Sequence, residues 1–151
     1  MAAMEAAGLE ADLEAAELIG RLTRGYLATF SHPPATQTPS GPGMPPAWIT
    51  GRLAASVRAS MGADSAMVGP TSAASSYNGP IGRALELGHD YVAHNRTGYM
   101  HWFQDGRWWK AREVTHPPHP FLKPMTELAA NSGMVTEIYA RRWAAAQASS
   151  V

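Results

Sequence analysis

Four prolines fall within nine residues in the stretch His116-Pro117-Pro118-His119-Pro120-Phe121-Leu122-Lys123-Pro124, and this strap constrains the chain more than any other segment. Each proline holds φ near about −65° and removes a backbone donor, so the segment is neither helix interior nor central strand and must run extended across a surface. Phe121 and Leu122 give it two apolar anchors. Pro124 suits the first turn of a following helix, where a missing N–H costs nothing. The chain before the strap reads mostly as strands and turns and the chain after it as one helix, which makes the strap a joint.

Residues 4 to about 29 read as a helix, with Ala15, Leu18, Ile19, Leu22 and Tyr26 along one stripe. Glu5, Glu10, Asp12, Glu14 and Glu17 occupy its first part and Arg21 and Arg24 its end, which complements the helix dipole and sets Glu17 four residues before Arg21. The acidic cluster is read as a solvated face, the sharper alternative being a functional surface that repels DNA. Gly20 and Gly25 either weaken the helix or admit a close neighbour. Residues 31–48 then turn to Pro, Thr, Ser and Gly, a composition in which no packed element is expected. Such a stretch is a flexible linker or an arm laid on a partner.

Leu53 to Met61 alternates between apolar and small or polar residues, as a half-buried strand does, although its small side chains make the start ambiguous with a helical turn. Gly62-Ala63-Asp64 turns the chain, and Ala66 and Val68 form a short returning strand that stops at Gly69-Pro70. Asn78-Gly79-Pro80 opens a short helix carrying Ile81, Ala84, Leu85 and Leu87, with Gly88 as its stop. Glu86 lies near the end of that helix, where the dipole disfavours a carboxylate, so it calls for a specific partner such as an arginine or a set of backbone N–H groups.

Tyr99 to Gln104 and Arg107 to Val114 flank Asp105-Gly106, the preferred two-residue turn of type I′. This register sets Phe103 opposite Trp108, Trp102 opposite Trp109 and His101 opposite Lys110, and so puts aromatics on both faces of the ribbon near its tip. One core cannot cover both faces. The second face is expected to meet another subunit or protein, with a nucleic-acid stacking platform using Arg107, Lys110 and Arg112 as the alternative. Beyond the strap, Met125, Leu128, Val135, Ile138, Tyr139 and Trp143 keep helical spacing, Asn131-Ser132-Gly133 marks a point of kinking or breaking, and Arg141 and Arg142 suit the dipole near the C-terminus.

The 12 basic and 12 acidic residues cancel, so no global charge argues for a nucleic-acid or membrane binder. No cysteine is present, which excludes disulfides, thiolate metal sites and cysteine nucleophiles. His89, His94, His101, His116 and His119 lack metal-ligand spacing, and the prolines between His116 and His119 are expected to separate their rings. With no phosphate loop, nucleophile elbow or convergent carboxylates, no cofactor, metal or catalytic residue is assigned. No apolar run approaches a membrane span and Met1-Ala2-Ala3-Met4-Glu5 is unlike a signal peptide, so a soluble protein made in the cytoplasm is expected.

Three blocks together resemble a family of tailed-bacteriophage neck proteins, the head-tail connector or tail-completion proteins. Pro45-Pro46-Ala47-Trp48-Ile49-Thr50-Gly51-Arg52-Leu53-Ala54-Ala55-Ser56-Val57 resembles its block of prolines, Thr-Gly, x-Leu and Ser-hydrophobic. Tyr77-Asn78-Gly79-Pro80-Ile81 through Leu85-Glu86-Leu87-Gly88 resembles its Tyr and hydrophobic-Glu-hydrophobic-Gly block, and His119-Pro120-Phe121-Leu122-Lys123-Pro124 its Pro-Phe-Leu-basic-Pro block. The order and spacing of the blocks across residues 45–130 carry the resemblance, while the Trp-rich hairpin departs from the pattern.

The resemblance implies a non-enzymatic virion protein forming a ring between portal and tail around the DNA channel. Its partners would be further copies of itself and other neck proteins, with no membrane. Thr50, Gly51, Arg52, Leu53, Glu86, Gly88, Pro120, Phe121, Leu122 and Pro124 become the fold-defining positions, with Glu86 and Arg52 candidates for contacts between subunits and Phe121 and Leu122 expected to fix the strap on the sheet. Trp102, Phe103, Trp108, Trp109, Pro45, Pro46 and Trp48 become candidates for the subunit or partner interface. The expected fold is α+β in one domain over 1–151. Its parts are an N-terminal helix (1–30), a linker or arm (31–48), a small antiparallel sheet with a short helix and protruding hairpin (49–122), and a C-terminal helix (123–148).

Overall fold

A computed structural model describes residues 2–29, 40–46, 51–71, 81–104 and 106–149. Trp48, Thr50, Asp105 and the expected helix start Asn78-Gly79-Pro80 lie outside the described residues. The described chain is α+β, as expected, with a long N-terminal helix, C-terminal helices and small antiparallel sheets. In order the elements are α1 (Ala2–Ala28), α2 (Arg52–Ser56), β1 (Val57–Met61), β2 (Ala66–Pro70), α3 (Ile81–Leu87), β3 (His89–Val92), β4 (Met100–Gln104), β5 (Arg107–Ala111), β6 (Glu113–His116), α4 (Lys123–Asn131) and α5 (Met134–Ala148).

The strands do not merge into one sheet. They form three antiparallel pairs, β1–β2, β3–β6 and β4–β5. The strand expected from Leu53 starts only at Val57, because Arg52–Ser56 winds into a short helix. Alanine and leucine favour helix, and Ser56 Oγ turns back to donate to the Leu53 carbonyl at 2.6 Å, so the alternation over 53–56 does not produce pleating. The C-terminal helix divides at Ser132-Gly133, where Gly133 takes φ +82° as the residue preceding α5.

Two apolar clusters lie along α1. Near its N-terminal half, Ala11 and Ala15 meet Ile138, with Leu18, Val135 and Tyr139 packed around them. Alanine on α1 allows α5 to approach closely, and polar pairs flank the seam. Arg142 bonds Glu10 at 2.9 Å and Glu14 at 2.8 Å, Arg141 also bonds Glu14, and the Tyr139 hydroxyl donates to Asp12. The Arg142 guanidinium, helped by Arg141 and opposed by desolvation, holds the Glu14 carboxyl below its usual range. The bond to Asp12, with burial, raises the Tyr139 phenol. Part of the acidic face expected to be solvated is therefore paired, and Arg141 and Arg142 sit in mid-helix facing α1 rather than at the C-terminal end of a dipole. Toward the other end of α1, Leu27, Ala54, Val57 and Phe121 form the second cluster, bordered by Tyr26, Leu53, Val68, Leu85 and Leu122.

Candidate functional site

Phe121 is fully buried in that second cluster, among residues of α1, α2 and β1, with α3 and β2 contributing to its border. Burying a phenylalanine contributes about 1.5–3 kcal/mol, enough to hold an extended segment that forms no ladder of its own. Leu122 borders the same cluster and Pro124 lies in the first turn of α4, as its chemistry predicts.

The short segment Leu85–Gly88 grips the strap at successive points. The Leu85 carbonyl accepts the His119 N–H at 2.6 Å. Glu86 then turns its carboxylate onto three consecutive donors, with Oε2 accepting the N–H of Phe121 at 2.8 Å and of Leu122 at 3.0 Å, and Oε1 the N–H of Lys123 at 2.8 Å. Leu122 provides no side-chain cap for α4, so Glu86 caps that helix from a distant part of the chain. Gly88 completes the grip. It has φ +74°, and a Cβ there would stand 2.8 Å from the His116 carbonyl oxygen and 3.1 Å from Pro118 N. Of the two partners that Glu86 calls for, the backbone set is the one present.

The preceding arm also docks on the strap. Gly43 N–H donates to the Pro118 carbonyl at 3.1 Å, and His119, only 3% exposed, places Nδ1 3.0 Å from the Met44 carbonyl and 3.2 Å from Ser40 Oγ. A carbonyl only accepts, so Nδ1 carries the proton. Pro45 is buried and Pro46 half-buried, so at least residues 40–46 are a packed arm on their own chain, and Pro45 is a packing residue rather than an exposed interface position. The rings of His116 and His119 are not separated but meet edge to face at 5.8 Å, because an extended proline segment repeats every three residues. Among the described residues no group of three or more His, Asp or Glu is placed to hold a metal ion.

From Gly88 and the strap a ribbon runs outward. β3 pairs with β6, Ala93 N–H continues the ladder to the Arg112 carbonyl at 2.8 Å, and Asn95 closes the intervening loop through Tyr99. β4 and β5 then pair in the expected register, Trp102 opposite Trp109, Phe103 opposite Trp108 and His101 opposite Lys110. Every residue of β3 is exposed, as are the first four of β5. Trp109 stacks nearly parallel to Trp102 at 6.5 Å and carries the Arg107 guanidinium 3.8 Å from its ring centre. Lys110 and Arg112 lie 5.4 and 5.1 Å from the Tyr99 ring. Trp108 is 73% exposed.

The structure thus brings Gly51, Leu53, Glu86, Gly88, Pro120, Phe121, Leu122 and Pro124 around one junction, with Gly51 in the left-handed region just before α2. Arg52 opens α2 on the exposed side. Arg24 and Arg58 converge on the Val57 carbonyl, whereas the sequence assigns Arg24 only to the helix dipole and does not single out Arg58, because nothing in their spacing signals a meeting between helix and strand. No helix among the described residues is long and apolar enough to cross a membrane. Comparison of the chain with protein-family models, curated proteins and solved structures gives no match.

Proposed function

We propose that this chain is a structural virion protein of a tailed phage, a subunit of the neck ring that joins the capsid portal to the tail around the DNA channel, in a head-closure, tail-terminator or tail-completion role. The observation that carries the reading is the convergence of the three resemblance blocks. Residues 51–57, 81–88 and 119–124 lie far apart in the chain, yet the second clamps the third through Glu86 while the first packs on Phe121. Mutual contact among the three blocks supports reading them as one fold centre.

A ring subunit presents two different surfaces to its neighbours, because contact around a closed ring is heterologous. The ribbon suits one of them. Trp108, Tyr91 and Val92 are exposed on a slender element, the kind of apolar surface that a protein partner covers. The subunit would act by shape and contact, in the virion neck, after assembly in the host bacterial cytoplasm. Its partners are further copies of itself and the neck proteins above and below, with duplex DNA nearby but not read in sequence. Electron microscopy of the purified protein and of particles tests this. Closed rings are expected, and a strictly monomeric protein absent from particles refutes it. Trp108→Ala should leave the melting temperature of the monomer within about 2 °C and weaken assembly, whereas a large loss of monomer stability would make Trp108 a core residue.

A small nucleic-acid-binding module is the second reading, favoured by the exposed Trp108 beside Arg107 and Lys110. Across residues 89–116, however, the sequence sets Asp90, Asp105 and Glu113 against Arg96, Arg107, Lys110 and Arg112 in number, so this stretch carries little net charge. Salt-sensitive binding to single strands in a gel-shift assay supports it, and no shift at low salt removes it.

A further inference from the structure

Arg21 and Arg24 of α1 and Arg58 of β1, with Glu17 and Ala59, line an open cleft of about 260 Å³. Two of the guanidiniums share one acceptor, since Arg24 Nη1 donates to the Val57 carbonyl at 2.9 Å and Arg58 Nη1 to the same oxygen at 3.3 Å. Gly20 lies beside this pair, and a Cβ at that position would meet Arg24 Nη1 at 3.4 Å and Val68 Cγ2 at 3.5 Å, ordinary contact distances that leave room for an alanine.

Among the described residues no ion pair uses Arg21, Arg24 or Arg58, and Glu17 does not pair with Arg21 despite its spacing. Two cations on a single carbonyl repel, and each guanidinium has five N–H donors of which the carbonyl takes one. With one carboxylate against three guanidiniums the lining carries a net charge of +2. A lone carboxylate ligand would match one fork and one charge. A phosphate matches several forks at once and, as a monoester or free ion, carries up to two charges.

We propose that this cleft is a phosphate-binding site formed by Arg21, Arg24 and Arg58. The ligand is either a small phosphate-bearing molecule or the phosphodiester backbone of DNA, which share the chemistry the cleft recognises. The site stands apart from the ribbon, so its failure would leave the assembly reading untouched.

The test pairs thermal denaturation in inorganic phosphate, against chloride at matched ionic strength, with fluorescence anisotropy of a short DNA duplex. Wild type is compared with Arg58→Gln and Arg21→Gln, both exposed positions whose loss leaves the core intact. A hundredfold excess of phosphate over Kd should raise Tm by roughly 5–10 °C, and each variant should weaken binding by about tenfold or more. A phosphate response without duplex binding assigns the site to a small ligand, and duplex binding lost in the variants without a phosphate response assigns it to the backbone. Absence of both responses, or responses equal in wild type and both variants, overturns the proposal.

Discussion

Replacing Glu86 tests the junction most directly. Its carboxylate accepts three backbone N–H groups at 2.8, 3.0 and 2.8 Å, those of Phe121 and Leu122 part-buried and that of Lys123 exposed. In Glu86→Ala the Lys123 donor turns to water, while the other two lose a charged acceptor worth about 1.5–3 kcal/mol each. Partial rehydration lowers the sum, so the expected loss is about 3–4 kcal/mol, a fall in Tm of roughly 10 °C for a chain this long. Glu86→Gln keeps one acceptor oxygen, loses the charge that faces the N-terminus of α4, and turns an amide N–H2 toward at least one donor. It should cost about half as much.

Urea or thermal unfolding measures both variants, and hydrogen exchange locates the damage, with protection lost first at the amides of Phe121 and Leu122. A Glu86→Ala protein within about 1 kcal/mol of wild type, or a Glu86→Gln protein equally damaged, would refute the cap.

Other perturbations follow from single sites. Thr23 is fully buried in α1 and its hydroxyl has no hydrogen-bond partner among the described residues, so Thr23→Val should stabilise by about 1 kcal/mol, read as a Tm rise of roughly 2–4 °C. Gly88→Ala places a Cβ against the His116 carbonyl at φ +74° and should cost at least about 2 kcal/mol in urea unfolding, with the base of the ribbon opening first by hydrogen exchange. The folded pKa of Glu14 lies below 4.5, so its stabilising contribution is present above that pH and is lost as pH falls through the lower folded value. Glu14→Gln should therefore flatten the acid limb of the stability–pH curve below about pH 4.5, measured by thermal unfolding across pH.

Local chemistry made much of this protein legible. The apolar stripe announces α1, Asp105-Gly106 sets the ribbon register residue for residue, Gly88 stops α3, and Pro124 starts α4, because each depends on a backbone preference expressed within a few residues. The same reach explains why Glu86 could be marked as needing a partner: a carboxylate at the end of a short helix is locally unfavourable whatever surrounds it.

What the tertiary structure alone decided is where such local demands are met. Alternation over Leu53–Ser56 describes a strand, but it is a helical turn that carries Ala54 into the cluster holding Leu27 and Phe121. Asn131-Ser132-Gly133 reads as a point of kinking or breaking, and it is the packing on α1 through the pairs of Arg141 and Arg142 that shows where the second helix goes. The docking of residues 40–46 on His119, the three donors beneath Glu86 and the bond of Arg24 to the Val57 carbonyl join residues 33–79 positions apart. No local preference encodes such contacts, because their energy exists only once the intervening chain has folded. Local preference thus named most of the elements and the demands at their ends, and the packing of α1 against the strap and the strands settled which distant group answers each demand.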